Sequence, residues 1–385
     1  MIGPARVAAY DILTAVSAGS ADLPSAIAFA RAGLTDDRDR ALAADIATGV
    51  QRWRASLDHV IVHFSRRGID RLDPEIVEIL RLSAYQLLHL TRVPASAVVD
   101  DAVDLARRAG KSSAAGLVNA VLRTISRRRQ TLPLPPRPDP ASAPPEAVLD
   151  YFSITLSHPR WLVARWYDRV GFDATEAWAS FNNVPAPVTL RANRLRTTPA
   201  DLVEHLAADA IVVHPGRFAP DALIVDEGHP LKGTGLEEGL FIVQDEASQL
   251  VALLAGANPG RRVLDTCASP GGKTTALASA MDGHGLVIAC DVRDARIALL
   301  TRTVGASGAT NIRVVQADVE QPLPFAATFD CVLVDAPCSG LGTLRRDPDI
   351  RWRRREADLA GLADAQRAML RHAADCVGPG GRLIY

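Results

Sequence analysis

Between Thr131 and Pro145 the chain carries seven prolines, and no other feature limits its folding as much. Proline fixes φ and removes the backbone donor, so this stretch suits neither a helix interior nor the middle of a sheet. Residues 131–147 read as an extended, semi-rigid linker. A core built before it is not expected to continue after it. At 385 residues, with 48% hydrophobic and 23% charged, the chain has enough apolar material for two or three such cores.

Before the linker, residues 1–130 follow helical periodicity throughout. Ile76, Ile79, Leu80, Ala84, Leu87 and Leu88 recur at i, i+3, i+4 spacing, as do Leu117, Val118, Val121, Leu122 and Ile125. Asp73-Pro74 and Ser112-Ser113 are plausible helix starts. No strand-like alternation interrupts the pattern, so this part is expected to be all-α. It holds 18 Lys/Arg against 14 Asp/Glu, a local balance of +4 in a chain whose net charge is −1. Any nucleic-acid site must therefore be a local patch, and Arg127-Arg128-Arg129 is one candidate.

After the linker the periodicity changes. Residues 148–236 mix a helix around Trp161–Tyr167, a strand over Pro187–Asn193, a helix from Pro199 and a short strand over Ala222–Val225, a small α+β module. In residues 237–385 strands alternate with helices, as in a parallel sheet covered on both faces. Strands are predicted at Arg262–Asp265, Leu286–Cys290, Ile312–Val315, Asp330–Val334 and Arg382–Tyr385. Helices are predicted at Lys273–Met281, Asp294–Val304 and Asp358–Cys376.

Two segments of this last part carry the chemistry. Val263-Leu-Asp-Thr-Cys-Ala-Ser-Pro-Gly-Gly-Lys-Thr274 and Val332-Leu-Val-Asp-Ala-Pro-Cys-Ser-Gly-Leu-Gly-Thr343 each read as a buried strand running into a tight turn, where open α/β sheets hold ligands. The glycines of the first turn let backbone N–H groups approach a small molecule at a helix N-terminus. The second turn puts the carboxylate of Asp335 beside the thiol of Cys338, a pairing suited to an electron-poor ring such as cytosine. A P-loop ATPase is the rival reading, because Ala-Ser-Pro-Gly-Gly-Lys-Thr nearly fits the phosphate-binding motif. Cys267 occupies the position of that motif's first glycine, and its Cβ would block the wrap around a triphosphate.

Asp335 to Trp352, with Cys-Ala-Ser-Pro-Gly-Gly-Lys-Thr before it, resembles the signature of the RNA (cytosine-C5) methyltransferases that use S-adenosylmethionine, and within them the bacterial RsmB, Sun or Fmu type acting on 16S rRNA. The N-terminal part is similar to the NusB antitermination fold, through Gly49-Val-Gln-Arg-Trp53, Leu80 to Leu88 and Gly116 to Arg123. The resemblance implies a multidomain chain: a NusB-like all-α domain (1–130), the linker (131–147), a ferredoxin-like RNA-binding module (148–236) and a Rossmann-like class I methyltransferase domain with a shortened parallel sheet (237–385). For the cofactor S-adenosylmethionine it implies contacts from Cys267, Ala268, Ser269, Pro270, Gly271, Gly272 and Lys273. Asp291 would bind the ribose hydroxyls, Asp318 the adenine amino group, and Asp335 completes the pocket.

Asp335 and Cys338 are the catalytic candidates. Pro337 stiffens their turn, and Gly340 and Gly342 permit close approach of the substrate. Read from the residues alone, Cys338 is the thiol at the site and would attack C6 of the base. The resemblance instead places the attacking cysteine in a Thr-Cys-Ser about three residues past Tyr385 and gives Cys338 a part in product release. It implies a chain shortened at its C-terminus, with Arg382–Tyr385 left as an edge strand.

Arg345 to Arg355 carries six arginines against two aspartates, with a tryptophan inside the run. Arginine forks bind phosphates and tryptophan stacks on bases, so Arg345, Arg346, Arg351, Trp352, Arg353 and Arg354 are the candidate RNA contacts. The partner expected is rRNA of the small subunit, bound by a monomeric chain. Five scattered cysteines, no zinc-like spacing, no signal-like start and no apolar run of about 18 residues suggest a cytoplasmic protein without metal or membrane attachment. The runner-up is a non-catalytic RNA-binding protein of the antitermination type. Acidic residues at three successive strand ends argue against a pure binder.

Overall fold

The computed structural model describes residues 2–385. By contact the chain forms two compact units, Met1–Pro185 with Gly340–Glu356, and Ala186–Ser339 with Ala357–Tyr385. The proline stretch is not the division between them. Leu132 and Leu134 pack against the helical core. The carbonyl of Pro133 accepts from His59 Nε2 at 2.8 Å and that of Pro135 from Thr155 Oγ1 at 2.7 Å. Proline removes donors but leaves its carbonyls free to accept along an extended chain, so the segment expected as an extended, semi-rigid linker lies as a strap against the helical core.

The first unit is helical. α1 (Pro4–Ser17), α2 (Leu23–Gly33), α3 (Asp37–Ser65), α4 (Pro74–His89), α5 (Ala95–Arg108) and α6 (Ala115–Arg127) form its core. Every residue of α4 from Ile76 to Leu87 is buried, so it is the central helix. The Asp73-Pro74 start is observed, while Ser112 and Ser113 form a short 3₁₀ turn ahead of α6. Gly49 of α3 faces the Tyr85 ring, and a Cβ there would lie 2.0 Å from Cζ. α7 (Pro145–Asp150) and α8 (Arg160–Asn182) belong to this unit, as does the short α13 (Ile350–Arg353). The predicted α+β module is thus divided, its long helix lying with the helical unit.

The second unit holds two sheets. β1 (Thr189–Ala192), β2 (Val212–Pro215), β3 (Ala222–Glu227) and β4 (Phe241–Val243) form an antiparallel sheet in the order β2-β3-β1-β4, with α9 (Pro199–Ala208) packed on it. β2 and β4, four and three residues long, were not predicted. β4 also carries this module past the predicted boundary at residue 236. β5 (Arg262–Asp265), β6 (Leu286–Asp291), β7 (Ile312–Gln316), β8 (Phe329–Leu333) and β9 (Val377–Ile384) form a parallel sheet in the order β7-β6-β5-β8-β9. α10 (Glu246–Ala255), α11 (Gly272–Ala280), α12 (Asp294–Ser307) and α14 (Asp358–Ala374) accompany it. All five predicted strands occur there. The chain builds outward from β5 through β6 to β7, then returns to β8 on the other side, so β5 and β8 flank the topological switch point. Among the described residues no helix is long and apolar enough to cross a membrane.

Candidate active site

β5 delivers the chain into the Gly-rich turn, which its neighbours hold on both sides. Thr266 N and Oγ1 both donate to Leu333 O at 3.0 Å, and Ala268 N donates to Cys290 O at 2.8 Å. Ser269-Pro270 is cis and Gly271 has φ +107°. A Cβ on Gly271 would meet Thr303 Cγ2 at 3.0 Å and Leu300 Cδ1 at 3.1 Å, so glycine is required there by conformation and by space. α11 starts at the next residue, and the first amides of a helix have no partner within it. The turn therefore presents unpaired donors at the positive end of a helix dipole.

The acidic groups at the strand ends, the expected Asp291, Asp318 and Asp335 together with Asp265, are not equivalent. Asp291 is buried, with Oδ2 accepting from Ser269 N at 3.2 Å and Oδ1 from Val292 N at 2.9 Å. It braces the Gly-rich turn from β6, with Arg296 Nη1 3.7 Å from Oδ2. Asp318 is exposed, and its Oδ1 accepts from Glu320 N at 3.0 Å. Asp265, at the end of β5, was not singled out in the sequence. It is buried and accepts from Thr274 Oγ1 at 2.7 Å through Oδ2, while its Oδ1 has no hydrogen-bond partner among the described residues. Burial pushes its pKa up to about 6, against the relief given by Thr274.

The two motifs meet in one ion pair. Lys273 Nζ, from the first turn of α11, lies 2.6 Å from Asp335 Oδ2, just beyond β8. The Lys273 side chain is 17% exposed and that of Asp335 50%, so one face of the carboxylate is open. Three residues on, Cys338 is exposed, whereas Cys290, Cys331 and Cys376 are buried and Cys267 is partly so. Burial pushes the thiols of Cys267 and Cys290 up to about 12 and raises those of Cys331 and Cys376, which opposes thiolate formation at all four. The turn bearing Cys338 is anchored from α14: Gln366 Nε2 donates to Pro337 O at 2.9 Å, and Gln366 Oε1 accepts from Tyr385 Oη at 3.0 Å.

The arginine run differs most from its predicted role. Arg351 is fully buried. It donates to Ser157 O at 2.8 Å, Asn183 Oδ1 at 3.0 Å, Arg52 O at 3.3 Å and Asn182 O at 3.4 Å, and burial pushes its pKa down to about 9. Trp352 Nε1 donates to Gln51 O at 2.6 Å. Arg345 donates to Val184 O and Pro185 O at 3.0 Å and lies 4.3 Å over the Phe181 ring. These three tie Gly340–Glu356 to the helical unit, and the expectation that Arg351 presents its fork to RNA is corrected by its burial. Arg353 is exposed and pairs with Asp349 at 2.9 Å. Arg346 and Arg354 are partly exposed.

Three family models match the chain in sequence order: the NusB family over residues 4–127, the RsmF/B-like ferredoxin-like domain over 158–232, and 16S rRNA methyltransferase RsmB/F over 251–385. Ribosomal RNA small subunit methyltransferase B of Pseudomonas putida is 32% identical over 387 residues, covering 99% of this chain and 84% of the relative. The chain belongs to the 16S rRNA methyltransferase RsmB/F family. The corresponding Xanthomonas campestris protein is 32% identical, covering 99% of this chain and 83% of its own. The crystal structure of PH0851 superposes with a TM-score of 0.80 at 25% identity, covering 100% of this chain and 85% of that one. NSun6 from Pyrococcus horikoshii, solved with SFG, shares the fold at TM-score 0.54 and 18% identity, over 58% of this chain and 82% of that one. Family membership removes the P-loop ATPase and the non-catalytic antitermination readings.

Residues that sequence reasoning missed lie mostly beside the motifs. Asp265 obeys the same strand-end rule that singled out Asp291. Arg191 is a charged residue within the fully buried strand β1, a legible signal. Gln366 carries no signal of its own, being one polar residue on an amphipathic helix.

Proposed function

We propose that this chain transfers a methyl group from S-adenosylmethionine to C5 of a cytosine in small-subunit (16S) rRNA. The observation that carries this reading is the Lys273–Asp335 pair, which joins the Gly-rich turn to the Asp-Ala-Pro-Cys turn at the switch point of the sheet, with an exposed thiol three residues on. The glycine cradle suits the cofactor: main-chain groups of Cys267 to Lys273 would meet its methionine portion, Asp291 the ribose hydroxyls and Asp318 the adenine amino group. Both Asp291 oxygens already accept one amide each and retain a lone pair for a hydroxyl. S-adenosylmethionine, when bound, supplies an electrophilic methyl group.

The rest of the chemistry concerns the base. Cytosine C5 is not nucleophilic. A thiolate adding to C6 forms an S–C6 bond and moves the C5–C6 π electrons onto C5, which then takes the methyl group. Loss of the C5 proton expels the thiolate and restores the ring. Asp335 is the group for the base edge, where a carboxyl holding a proton on N3 assists the addition. Lys273 keeps that carboxylate oriented until substrate arrives. Cys338, the exposed thiol, serves product release in this reading. A second reading makes it the nucleophile, and its exposure favours that.

Calorimetric titration of the folded chain tests the cofactor assignment: S-adenosylmethionine binding in preference to ATP is expected, and ATP binding alone would refute it. Incubation with 5-fluorocytosine RNA separates the roles of Cys338. A covalent adduct abolished by Cys338→Ser makes it the nucleophile, and the absence of an adduct from this chain leaves it in release.

A further inference from the structure

The buried strand β1 contains one charged side chain, and it reaches the cofactor turn. Arg191 is 4% exposed. Its Nη1 donates to Gln244 Oε1 and to the carbonyl of Gly272, the first residue of α11, and its Nη2 donates to Thr275 Oγ1 at 2.8 Å. Thr275 Oγ1 in turn donates to Gly271 O at 2.9 Å. The Gln244 amide lies against Gly272, where an added Cβ would meet Nε2 at 3.2 Å. Two residues along, just past the end of β1, Asn193 Nδ2 donates to Ser307 O at 2.8 Å and to Gly239 O at 2.7 Å. β1 and the residue after it thus hold the start of α11 through Arg191 and the end of α12 through Asn193.

Asn193 does its part with a neutral amide. Arg191 does not, and none of its hydrogen-bond partners among the described residues is a carboxylate. Asp221 acts on it through space and is itself paired with Arg194 at 2.5 Å. Burial pushes the Arg191 pKa down to about 10, which leaves it cationic at neutral pH. A buried cation without a bonded counter-ion is costly, and a neutral donor could span part of the same contacts. Arg351 shows that carbonyls alone can hold a buried guanidinium; what sets Arg191 apart is that its carbonyl partner opens α11 behind the Gly-rich turn.

We propose that Arg191 is a positioning residue for the cofactor: it fixes the Gly272 carbonyl and places a positive charge behind the helix N-terminus that receives the carboxylate of S-adenosylmethionine. A cation bonded to the oxygen of the Gly272–Lys273 peptide polarises that peptide and makes its N–H a stronger donor. The helix dipole acts in the same direction. The ferredoxin-like module thereby contributes to cofactor affinity as well as to the RNA binding expected of it. The inference rests on the methyltransferase reading.

The test uses the full chain and two ligands, S-adenosylmethionine and its decarboxylated analogue, titrated against wild type, Arg191→Met, Arg191→Lys and Asn193→Ala. R191M is expected to bind S-adenosylmethionine about tenfold more weakly, the loss of one charge-assisted contact, and to lose the preference over the decarboxylated analogue. R191K keeps the charge, so it should keep that preference and weaken binding only about threefold, since one ammonium cannot span Gly272 O and Thr275 Oγ1 together. N193A should lower the melting temperature and leave both ligand affinities in place. Affinity and preference unchanged in a folded R191M overturn the inference alone. If R191M does not fold, R191K decides: unchanged affinity, or loss of the preference, overturns it. A wild-type chain that binds no S-adenosylmethionine overturns the inference and the methyltransferase reading together.

Discussion

Replacing Asp265 with asparagine should stabilise the second unit at neutral pH. Asp265 is buried at the end of β5, with Oδ1 lacking a partner among the described residues and Oδ2 held by Thr274 Oγ1 at 2.7 Å. Burial sets its folded-state pKa at about 6 against an ordinary 3.8, with Thr274 lowering it and Asp335 raising it. Between those values the folded state binds more proton than the unfolded one, so stability falls as pH rises through the window. At about 1.4 kcal/mol per pKa unit, ionisation of Asp265 costs the fold about 3 kcal/mol, absent below about pH 4 and complete above about pH 7. The substituted amide would still accept from Thr274 through its oxygen and cannot ionise. Asp265→Asn should therefore gain about 2–3 kcal/mol at pH 7.5, a gain that shrinks towards zero near pH 4. The assay must report the right unit. All five tryptophans, Trp53, Trp161, Trp166, Trp178 and Trp352, lie in the first one, so tryptophan fluorescence would miss the change. Hydrogen exchange of β5 and β6 peptides at matched pH would detect it. Equal or lower protection in D265N at pH 7.5 would refute the argument that Asp265 is a buried, ionised carboxylate.

Arg351→Ala should destabilise the first unit by about 3 kcal/mol or more, because Ser157 O and Asn183 Oδ1 lose a charged donor and a cavity opens; tryptophan fluorescence on thermal melting reads it. Arg353→Ala with Arg354→Ala should weaken RNA binding and flatten its salt dependence, with a lower melt as well because buried Asp349 loses its Arg353 partner. An unchanged slope would move the RNA surface elsewhere. Asp335→Asn should lower methyl transfer by about 10²-fold or more, with S-adenosylmethionine affinity within a few-fold of wild type by calorimetry. Gly49→Ala should cost about 1–3 kcal/mol through overlap with the Tyr85 ring, measured by the same fluorescence melt.

Much of the second unit was legible because its signals are local. Five apolar runs bounded by turns gave the five strands of the parallel sheet, and Gly271 and Asp335 follow strands as the motifs require. β4 escaped notice because three residues cannot establish a period of two and it is paired by tertiary context, and β2 because it is mostly exposed and ends in proline. In the first unit, helical periodicity located the core helices, and Asp73-Pro74 marked the start of α4.

Arg351 and the proline stretch depart from their expected surroundings for one physical reason. A composition rule describes how a segment meets water, and each of these segments meets protein. Six arginines around a tryptophan suit phosphates, but a guanidinium equally satisfies carbonyls that have no other donor, and Arg351 does so for Ser157, Arg52 and Asn182. Prolines suit a linker, but their carbonyls remain acceptors, and His59 and Thr155 use them. Which outcome occurs depends on whether unpaired groups of opposite kind lie within reach in the folded chain. Sequence periodicity holds no such information for positions such as Ser157 and Arg351, which are 194 residues apart. The same logic makes Arg191 informative. It is a cation inside a buried strand, and its partners, Gly272 and Thr275, lie in the first turn of α11, directly after the turn proposed to hold the cofactor. At Arg351 the backbone carbonyls of the helical unit account for the buried charge. At Arg191 the bonded groups lie at the start of α11, where the proposed cofactor carboxylate would sit.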